Sequence, residues 1–406
     1  MNMLADVIVI GGGPSGVAAA LELRRQGVEK VIILEREPYL GGATRHCSHS
    51  PFGMLEFGRV YFGESYGRKL EDEAAKAGVE VRTGYSVVDL EDDGTLRVTS
   101  PHGVEEMRAS RILYATGARE KPRSARLITG DRPIGVVTTG TLQSYVAFHG
   151  LMPFRKPVIV GSELVALSAT LTCLMHGARP VAVLEPRPHA LARAPLTWFP
   201  TLVGIPFHRG TELVDIKGRT RVEAVTIRKN GSEQTLECDG VLLTGQFTPE
   251  SSLFLKSTMG IDRGSDGPKV DQSGRTVNPI FFAAGNVLRA VETGGWAFCE
   301  GRAVGKSLAS DLQSGIKASD HVPVTHDDPI KLVMPSILRR ADTTSAAFNQ
   351  FQLRVTRRVK GRLSLEIDGK EVWSSRKVWM PERRILVPIP PQALSAQAVG
   401  FRIVED

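Results

Sequence analysis

At 406 residues the chain is too long for one ordinary domain and long enough for two or three cores, and its 42% hydrophobic and 23% charged content excludes a mainly disordered protein. No apolar run approaches the roughly 20 residues that cross a bilayer, and Met1-Asn2-Met3-Leu4 leads straight into a strand without a basic leader. The chain therefore reads as cytoplasmic with no transmembrane segment, and its net charge of +7 is local, because residues 330–406 hold 14 Lys/Arg against 7 Asp/Glu while the remainder balances.

The first element is an apolar, β-branched strand, Asp6-Val7-Ile8-Val9-Ile10, followed at once by Gly11-Gly12-Gly13-Pro14-Ser15-Gly16 and a helix through Val17-Ala18-Ala19-Ala20-Leu21-Glu22-Leu23. Strand, glycine loop and helix in that order form a dinucleotide-binding turn. Gly11 permits the tight turn, Gly13 lets a pyrophosphate approach the backbone, and Gly16 lets the helix pack closely on the sheet, with the helix start facing the phosphates. A second apolar strand, Val31-Ile32-Ile33-Leu34, ends in Glu35, about 20 residues beyond the loop, where a carboxylate can hold a ribose hydroxyl pair.

From Pro157 the pattern recurs as Val158-Ile159-Val160-Gly161-Ser162-Glu163-Leu164-Val165-Ala166, a helix through Leu174, and a strand ending in Glu185. Here Glu163 stands where the second glycine belongs. It adds a side chain and a negative charge at the place of a pyrophosphate, and both oppose NAD(P) binding. Glu185 would favour NAD over NADP if either bound. NAD(P) is therefore doubtful at this fold, and a retained but empty structural domain is expected.

Beyond about residue 320 the composition changes. Val322-Pro323-Val324 and Asp327-Asp328-Pro329 look like a linker, and apolar and polar residues then alternate in Phe351-Gln352-Leu353-Arg354-Val355-Thr356 and Leu363-Ser364-Leu365-Glu366-Ile367-Asp368, as in half-buried antiparallel strands. Asp368-Gly369 makes a hairpin turn. The basic residues of this part, including Arg354, Arg357, Arg358, Lys360, Arg383 and Arg384, can meet an acidic partner or only water. No aromatics are interleaved with them as a nucleic-acid stacking platform requires, so no nucleic-acid partner is expected. The four cysteines, Cys47, Cys173, Cys238 and Cys299, lie far apart without a C-x-x-C pair, and neither a metal site nor a disulfide framework is expected.

Three further segments carry a family resemblance: Arg36-Glu37-Pro38-Tyr39-Leu40-Gly41-Gly42, Ile112-Leu113-Tyr114-Ala115-Thr116-Gly117-Ala118 and Ile280-Phe281-Phe282-Ala283-Ala284-Gly285-Asn286. They resemble signatures of the two-dinucleotide-domain flavoproteins, the superfamily of glutathione and thioredoxin reductases. The resemblance implies FAD at the first fold, with Asn286, at a position usually held by Asp, on the ribityl chain. It also implies a following helix whose start, after Glu292-Thr293-Gly294-Gly295-Trp296, points at the isoalloxazine ring. The cofactor-contacting set so implied is Gly11, Gly13, Pro14, Ser15, Gly16, Glu35, Arg36, Gly42, Thr44, Arg45, Val87, Ala115, Thr116, Gly117, Gly285, Asn286, Gly295 and Trp296, with Arg45 neutralising the pyrophosphate. Dithiol reductases of this superfamily need two cysteines soon after Gly41-Gly42, and Ala43-Thr44-Arg45-His46-Cys47-Ser48-His49 has one, so disulfide reductase activity is not expected. No catalytic acid or base stands out. His46 and His49 either approach the flavin or a substrate or bond within their loop, and Trp296 either borders the flavin or packs in the core.

Residues 115–123 and 131–143 are similar to a narrower branch, the FAD subunits of bacterial opine oxidases, hydrogen cyanide synthase and related multi-subunit amino-acid or amine dehydrogenases. This likeness covers roughly residues 5–315. It implies a hetero-oligomer in which a second flavoprotein subunit oxidises the substrate and a small [2Fe-2S] protein carries electrons. No cysteine-rich segment follows Cys299, so another chain must supply any cluster.

The expected fold class is α/β: two Rossmann-like dinucleotide-binding domains, the FAD domain discontinuous over 1–155 and 249–318, an NAD(P)-binding-like domain over 156–248, and a small basic β-rich domain over 325–406. The expected function is an FAD-containing oxidoreductase subunit for an amino acid, opine or other amine, relaying electrons to or from partner subunits. A stand-alone NAD(P)H-dependent flavin reductase of a carrier or small acceptor is the alternative, and a structural FAD with a C-terminal binding module is a third.

Overall fold

The computed structural model describes residues 5–47, 51–290, 292–314, 320–340 and 346–406. The chain divides into two compact units. One comprises Met1–Arg45, Phe52–Ala118 and Thr248–Asp406, the other His46–Pro51 and Arg119–Phe247.

The first unit is built on a parallel sheet in which Glu80–Thr83, Val31–Glu35, Ala5–Ile10, Gly103–Tyr114 and Phe281–Ala283 lie side by side. Its strands read as continuous apolar runs because both faces are covered: Val7, Ile8, Val9 and Ile112 are fully buried. The long strand Gly103–Tyr114 begins in an antiparallel meander with Ser86–Leu90 and Thr95–Ser100 and ends in the parallel sheet. Helix Pro14–Arg25 starts with proline at its first position, where a missing N–H costs nothing, and buries Ala18, Ala19 and Ala20.

Against that helix lies the long helix Gly294–Ser314. Two glycines set the distance between them. A Cβ on Gly301 would stand 2.0 Å from the Ser15 carbonyl oxygen, and one on Gly305 2.7 Å from that of Ala19. The far end of the long helix is held by buried ion pairs, with Asp311 taking Arg111 at 2.7 Å and Arg275 at 2.6 Å.

The same unit carries the β-rich C-terminal module. Its five-stranded sheet runs Ile337–Arg339, His321–His326, Val399–Glu405, Val359–Ile367, Lys370–Trp379, and its three-stranded sheet Ile330–Met334, Gln350–Val355, Ile385–Pro388. Alternation puts Phe351, Leu353, Leu363, Leu365 and Phe401 in one core, where the Phe351 and Phe401 rings meet edge-on at 5.1 Å. Asp368 and Gly369, both at positive φ, close the hairpin expected there. The basic residues do not form one exposed face. Arg354 is buried, Arg357 pairs with Glu405, Lys360 with Asp406, and both Arg354 and Arg384 turn toward Glu292. Strand alternation puts Arg354 on the face opposite Phe351 and Leu353, where it is buried against Glu292, which charge counting along the chain could not locate.

The second unit contains a parallel sheet ordered Val136–Thr138, Gly240–Leu243, Pro157–Val160, Ala182–Glu185, Phe207–Arg209. A four-stranded sheet of Thr129–Gly130, Thr211–Lys217, Ala224–Lys229 and Ser232–Glu237 accompanies it. Residues 119–155, grouped by the sequence reading with the first domain, fall in this unit because Val136–Thr138 pairs with Gly240–Leu243. That pairing joins residues about a hundred positions apart, which no local pattern records.

The glycine-mediated helix crossing has a direct test. Gly301→Ala should destabilise the first unit by about 1–3 kcal/mol through overpacking, read as a lower thermal midpoint. A variant melting like the parent would contradict so close a crossing.

Candidate functional site

In the first unit the glycine loop has the geometry that a dinucleotide pyrophosphate requires. Gly11 sits at φ 107° with the Ala115 carbonyl oxygen 2.6 Å from where a Cβ would be, and a Cβ on Gly16 would strike the Gly11 carbonyl oxygen at 2.0 Å. A Cβ on Gly13, in contrast, would meet nothing within 4 Å. Packing thus demands glycine at positions 11 and 16, while position 13 opens on free space. No side chain caps the start of helix Pro14–Arg25 among the described residues, and the buried Ser15 hydroxyl beside it has no hydrogen-bond partner there. A helix start with orphan donors is an anion site.

The other segments converge on this loop. Gly42 lies against it, 3.2 Å from its would-be Cβ to the Gly13 Cα, and the Thr44 hydroxyl donates to the Gly41 carbonyl at 2.6 Å. Gly285, at φ 80°, touches Ser15, with 2.7 Å between its would-be Cβ and the Ser15 Cβ. Ala115 continues the strand beside Ile10, the Thr116 hydroxyl donates to the Glu250 carbonyl at 2.7 Å, and Gly117 opens on free space. A Cβ on Gly294 would stand 3.0 Å from the Phe52 ring and 3.4 Å from the Thr44 methyl carbon, so the start of helix Gly294–Ser314 lies close to the Gly42–Thr44 turn. Arg36 is exposed beside Glu37, and Val87 packs on the core from the meander, paired with Val98.

Several of these residues do something other than what the sequence suggests. The buried Glu35 carboxylate accepts from the Gly12 amide at 2.7 Å and the Glu37 amide at 2.9 Å, so it braces the loop from beneath. Arg45 does not face the open cradle. Its guanidinium contacts Glu71 and the Leu40 carbonyl, each at 3.2 Å, and lies over the Tyr39 ring, fastening the turn to helix Gly63–Lys76. Asn286 uses its whole amide on one residue: Nδ2 donates to the Glu292 carbonyl at 3.0 Å and Oδ1 accepts from the Glu292 amide at 2.7 Å. A carboxylate accepts only and could not close this turn. Trp296 is not a core residue, being 47% exposed with the Arg384 guanidinium 4.1 Å above its ring.

His46 and Cys47 belong to the second unit. Burial lowers the His46 imidazole to about 4, so it is neutral, and the Cys47 thiol, which contacts Gln143 at 3.2 Å, is raised to about 12 by burial and by the Glu120 carboxylate. At neutral pH the imidazole is therefore unprotonated and the thiol protonated. His49 lies outside the described residues. Sequence reasoning missed Glu300, which accepts from the Gly285 amide at 2.8 Å and pairs with Arg289, and the contacts of Glu292 with Arg354 and Arg384. The charge of Glu292 and Glu300 around a glycine-rich helix start was the available signal.

The second unit repeats the strand, turn and helix, with Glu163 at the position of Gly13. Gly161 turns at φ 133° and Ser162 bonds to Glu185, but the Glu163 side chain folds back over the loop. Its Oε1 accepts from the Thr244 hydroxyl at 2.9 Å and its carboxylate crowds the faces of Gly161 and Gly245. Burial raises its pKa, and the charge of Glu185 acts in the same direction. Where Gly13 leaves space, Glu163 places a carboxylate.

Residues 5–301 match the family model described as pyridine nucleotide-disulphide oxidoreductase. The chain is 29% identical over 187 residues to one of the subunits of opine oxidase from Rhizobium meliloti, covering 45% of this chain and 39% of that protein. It is 29% identical over 245 residues to hydrogen cyanide synthase subunit HcnB of Pseudomonas aeruginosa, covering 54% of this chain and 50% of that one. The chain thus spans half or less of the length of these curated relatives. In fold it is similar to thioredoxin reductase of T. acidophilum, with a TM-score of 0.63 at 22% identity over 75% of this chain and 98% of that one.

Two outcomes follow from the side-chain geometry. Asn286→Asp removes the bond to the Glu292 carbonyl and sets two acceptors against each other, at a cost of about 1–3 kcal/mol in thermal or denaturant unfolding. An unchanged midpoint would refute that pairing. Because the folded state raises the Glu163 pKa, its ionisation opposes folding, and wild-type stability should fall relative to Glu163→Gln as pH rises through the carboxyl's folded pKa. Parallel stability curves for the two proteins would contradict it.

Proposed function

Since the chain belongs to the pyridine nucleotide-disulphide oxidoreductase family, we propose that this FAD-dependent oxidoreductase is the FAD-bearing component of a multi-subunit dehydrogenase or oxidase for an amino acid, opine or other amine. The observation that carries the proposal is the contrast between the two glycine loops, open at Gly13 and filled by carboxylate at Glu163. A protein with a flavin site and no working nicotinamide site must exchange electrons with something else.

The residues present fit the flavin dinucleotide. The loop Gly11–Gly16, the orphan Ser15 hydroxyl and Gly42 would hold the pyrophosphate, with Glu35 bracing the loop and Arg36 at the rim. Thr44, Gly285, Gly295 and Trp296 would line the remainder, and Asn286 would set the turn between them. Bound FAD supplies two-electron acceptance and one-electron release, and the protein's part is to place it and tune it. The relatives named as subunits support partner proteins here as well; the partners that this proposal requires are a second flavoprotein and a small [2Fe-2S] carrier.

The test is anaerobic. The FAD-loaded chain should bleach slowly or not at all with NADH or NADPH, whereas an amine or amino-acid substrate should bleach it in the presence of its partner protein. Rapid bleaching of the isolated chain by either nicotinamide would overturn the proposal in favour of a stand-alone reductase. Gly13→Glu, which copies the second loop into the first, should abolish FAD retention, measured as flavin absorbance per protein. A variant that keeps stoichiometric FAD would remove the loop from the binding site.

A further inference from the structure

The C-terminal module reaches the start of helix Gly294–Ser314 with charged side chains that its own fold does not need. Glu292, just before the helix, is shared by two guanidinium groups from different strands and turns of the module: Oε1 lies 2.6 Å from Arg354 and Oε2 3.4 Å from Arg384. One carboxylate cannot neutralise both, and the shorter contact belongs to Arg354. Burial lowers the Arg354 pKa and the nearby Arg289 charge adds to the effect, while Glu292 opposes it.

Arg384 is placed differently from its neighbour. Its guanidinium is stacked over the exposed Trp296 ring, where the indole face holds a cation without cancelling its charge. Two further sets of contacts to charged groups lie near this helix start. Arg289 is taken by Glu300 at 2.5 Å and by Gln352, and Glu56, whose Oε2 lies 3.1 Å from the would-be Cβ of Gly295, accepts from the Tyr66 hydroxyl. Arg384 is thus a cation held on the Trp296 ring that shares Glu292 with Arg354.

We infer that the C-terminal module is part of the flavin site and that Arg384, held by Trp296 and Glu292, is an electrostatic positioning residue for the reduced flavin. The inference rests on FAD occupying the first unit as proposed above. Two electrons and one proton from a reductant leave the ring with one negative charge, and a fixed cation beside it favours that form without having to reorganise. The same module then has a task in the chain's own chemistry, independent of any partner it docks.

The holoprotein provides the test, with the flavin midpoint potential measured against redox dyes under dithionite titration. Arg384→Gln should lower the potential by about 30 mV, the equivalent of a tenfold change for a two-electron couple. It should also weaken binding of sulfite about tenfold; sulfite adds to oxidised flavin through its sulfur lone pair and leaves the ring negatively charged. Arg384→Lys, which keeps the charge, should recover most of both. FAD content per protein should stay stoichiometric in all three. A Gln variant with parental potential and sulfite affinity would overturn the inference, as would a Lys variant as defective as Gln, since a mere latch for the module depends on shape. A wild-type chain that retains no FAD would instead defeat the flavin reading on which the inference rests.

Discussion

The contact on which the first unit depends is the crossing of helix Pro14–Arg25 by helix Gly294–Ser314 at glycine distance. The two helices are separated by more than half of the chain, and their approach is limited only by backbone atoms, with Gly301 against Ser15 and Gly305 against Ala19. Closeness there has consequences a few residues away. It sets Gly285 on Ser15 and Gly294 on Thr44, so the loop after the first strand and the loop after the last parallel strand become one surface. A side chain at either crossing glycine would hold them apart by the width of a methyl group or more.

The two glycine loops share a frame and differ in the space they leave at the helix start. Both keep the tight-turn glycine at positive φ, both keep an acidic residue at the end of the second strand, and both use that residue to brace the loop. Of the positions at which the two loops differ, the one at the helix start decides the space left there: Gly13 in the first, Glu163 in the second. Space over Gly13 leaves uncapped helix donors available, while the Glu163 carboxyl lies against Thr244 and Gly245 and fills the equivalent hollow. The core under the second loop is its buried strands, in which Val158, Ile159, Leu242 and Leu243 are all but inaccessible to solvent.

Charge in the C-terminal module follows the same logic of place over number. Its excess of basic residues suggests an exposed face, yet several are occupied by Glu292, Glu405 and Asp406. The module is fastened as much by Asp271 as by Glu292: the buried Asp271 carboxyl, raised to about 6 by desolvation, faces Arg339 at 3.3 Å, and Gln272 exchanges two hydrogen bonds with the Arg339 backbone.

The glycine loop, the β-branched strands around it, the hairpin at Asp368-Gly369 and the place of Glu163 at the start of the second helix were all legible in the residue order. Each is a local matter of backbone sterics or of strand periodicity, which neighbouring residues determine among themselves. The sequence by itself also marked Gly285, Asn286 and the 292–296 stretch as belonging to one site. Only the tertiary structure decided what several side chains do there. Arg45 turned to Glu71, Asn286 closed on Glu292, Cys47 lay beside Gln143, and Arg354 and Arg384 came back to the helix start from more than sixty residues away. Hydrogen bonds and ion pairs act over a few ångströms in space, and strand pairing and helix crossing set those distances without leaving a trace in local sequence.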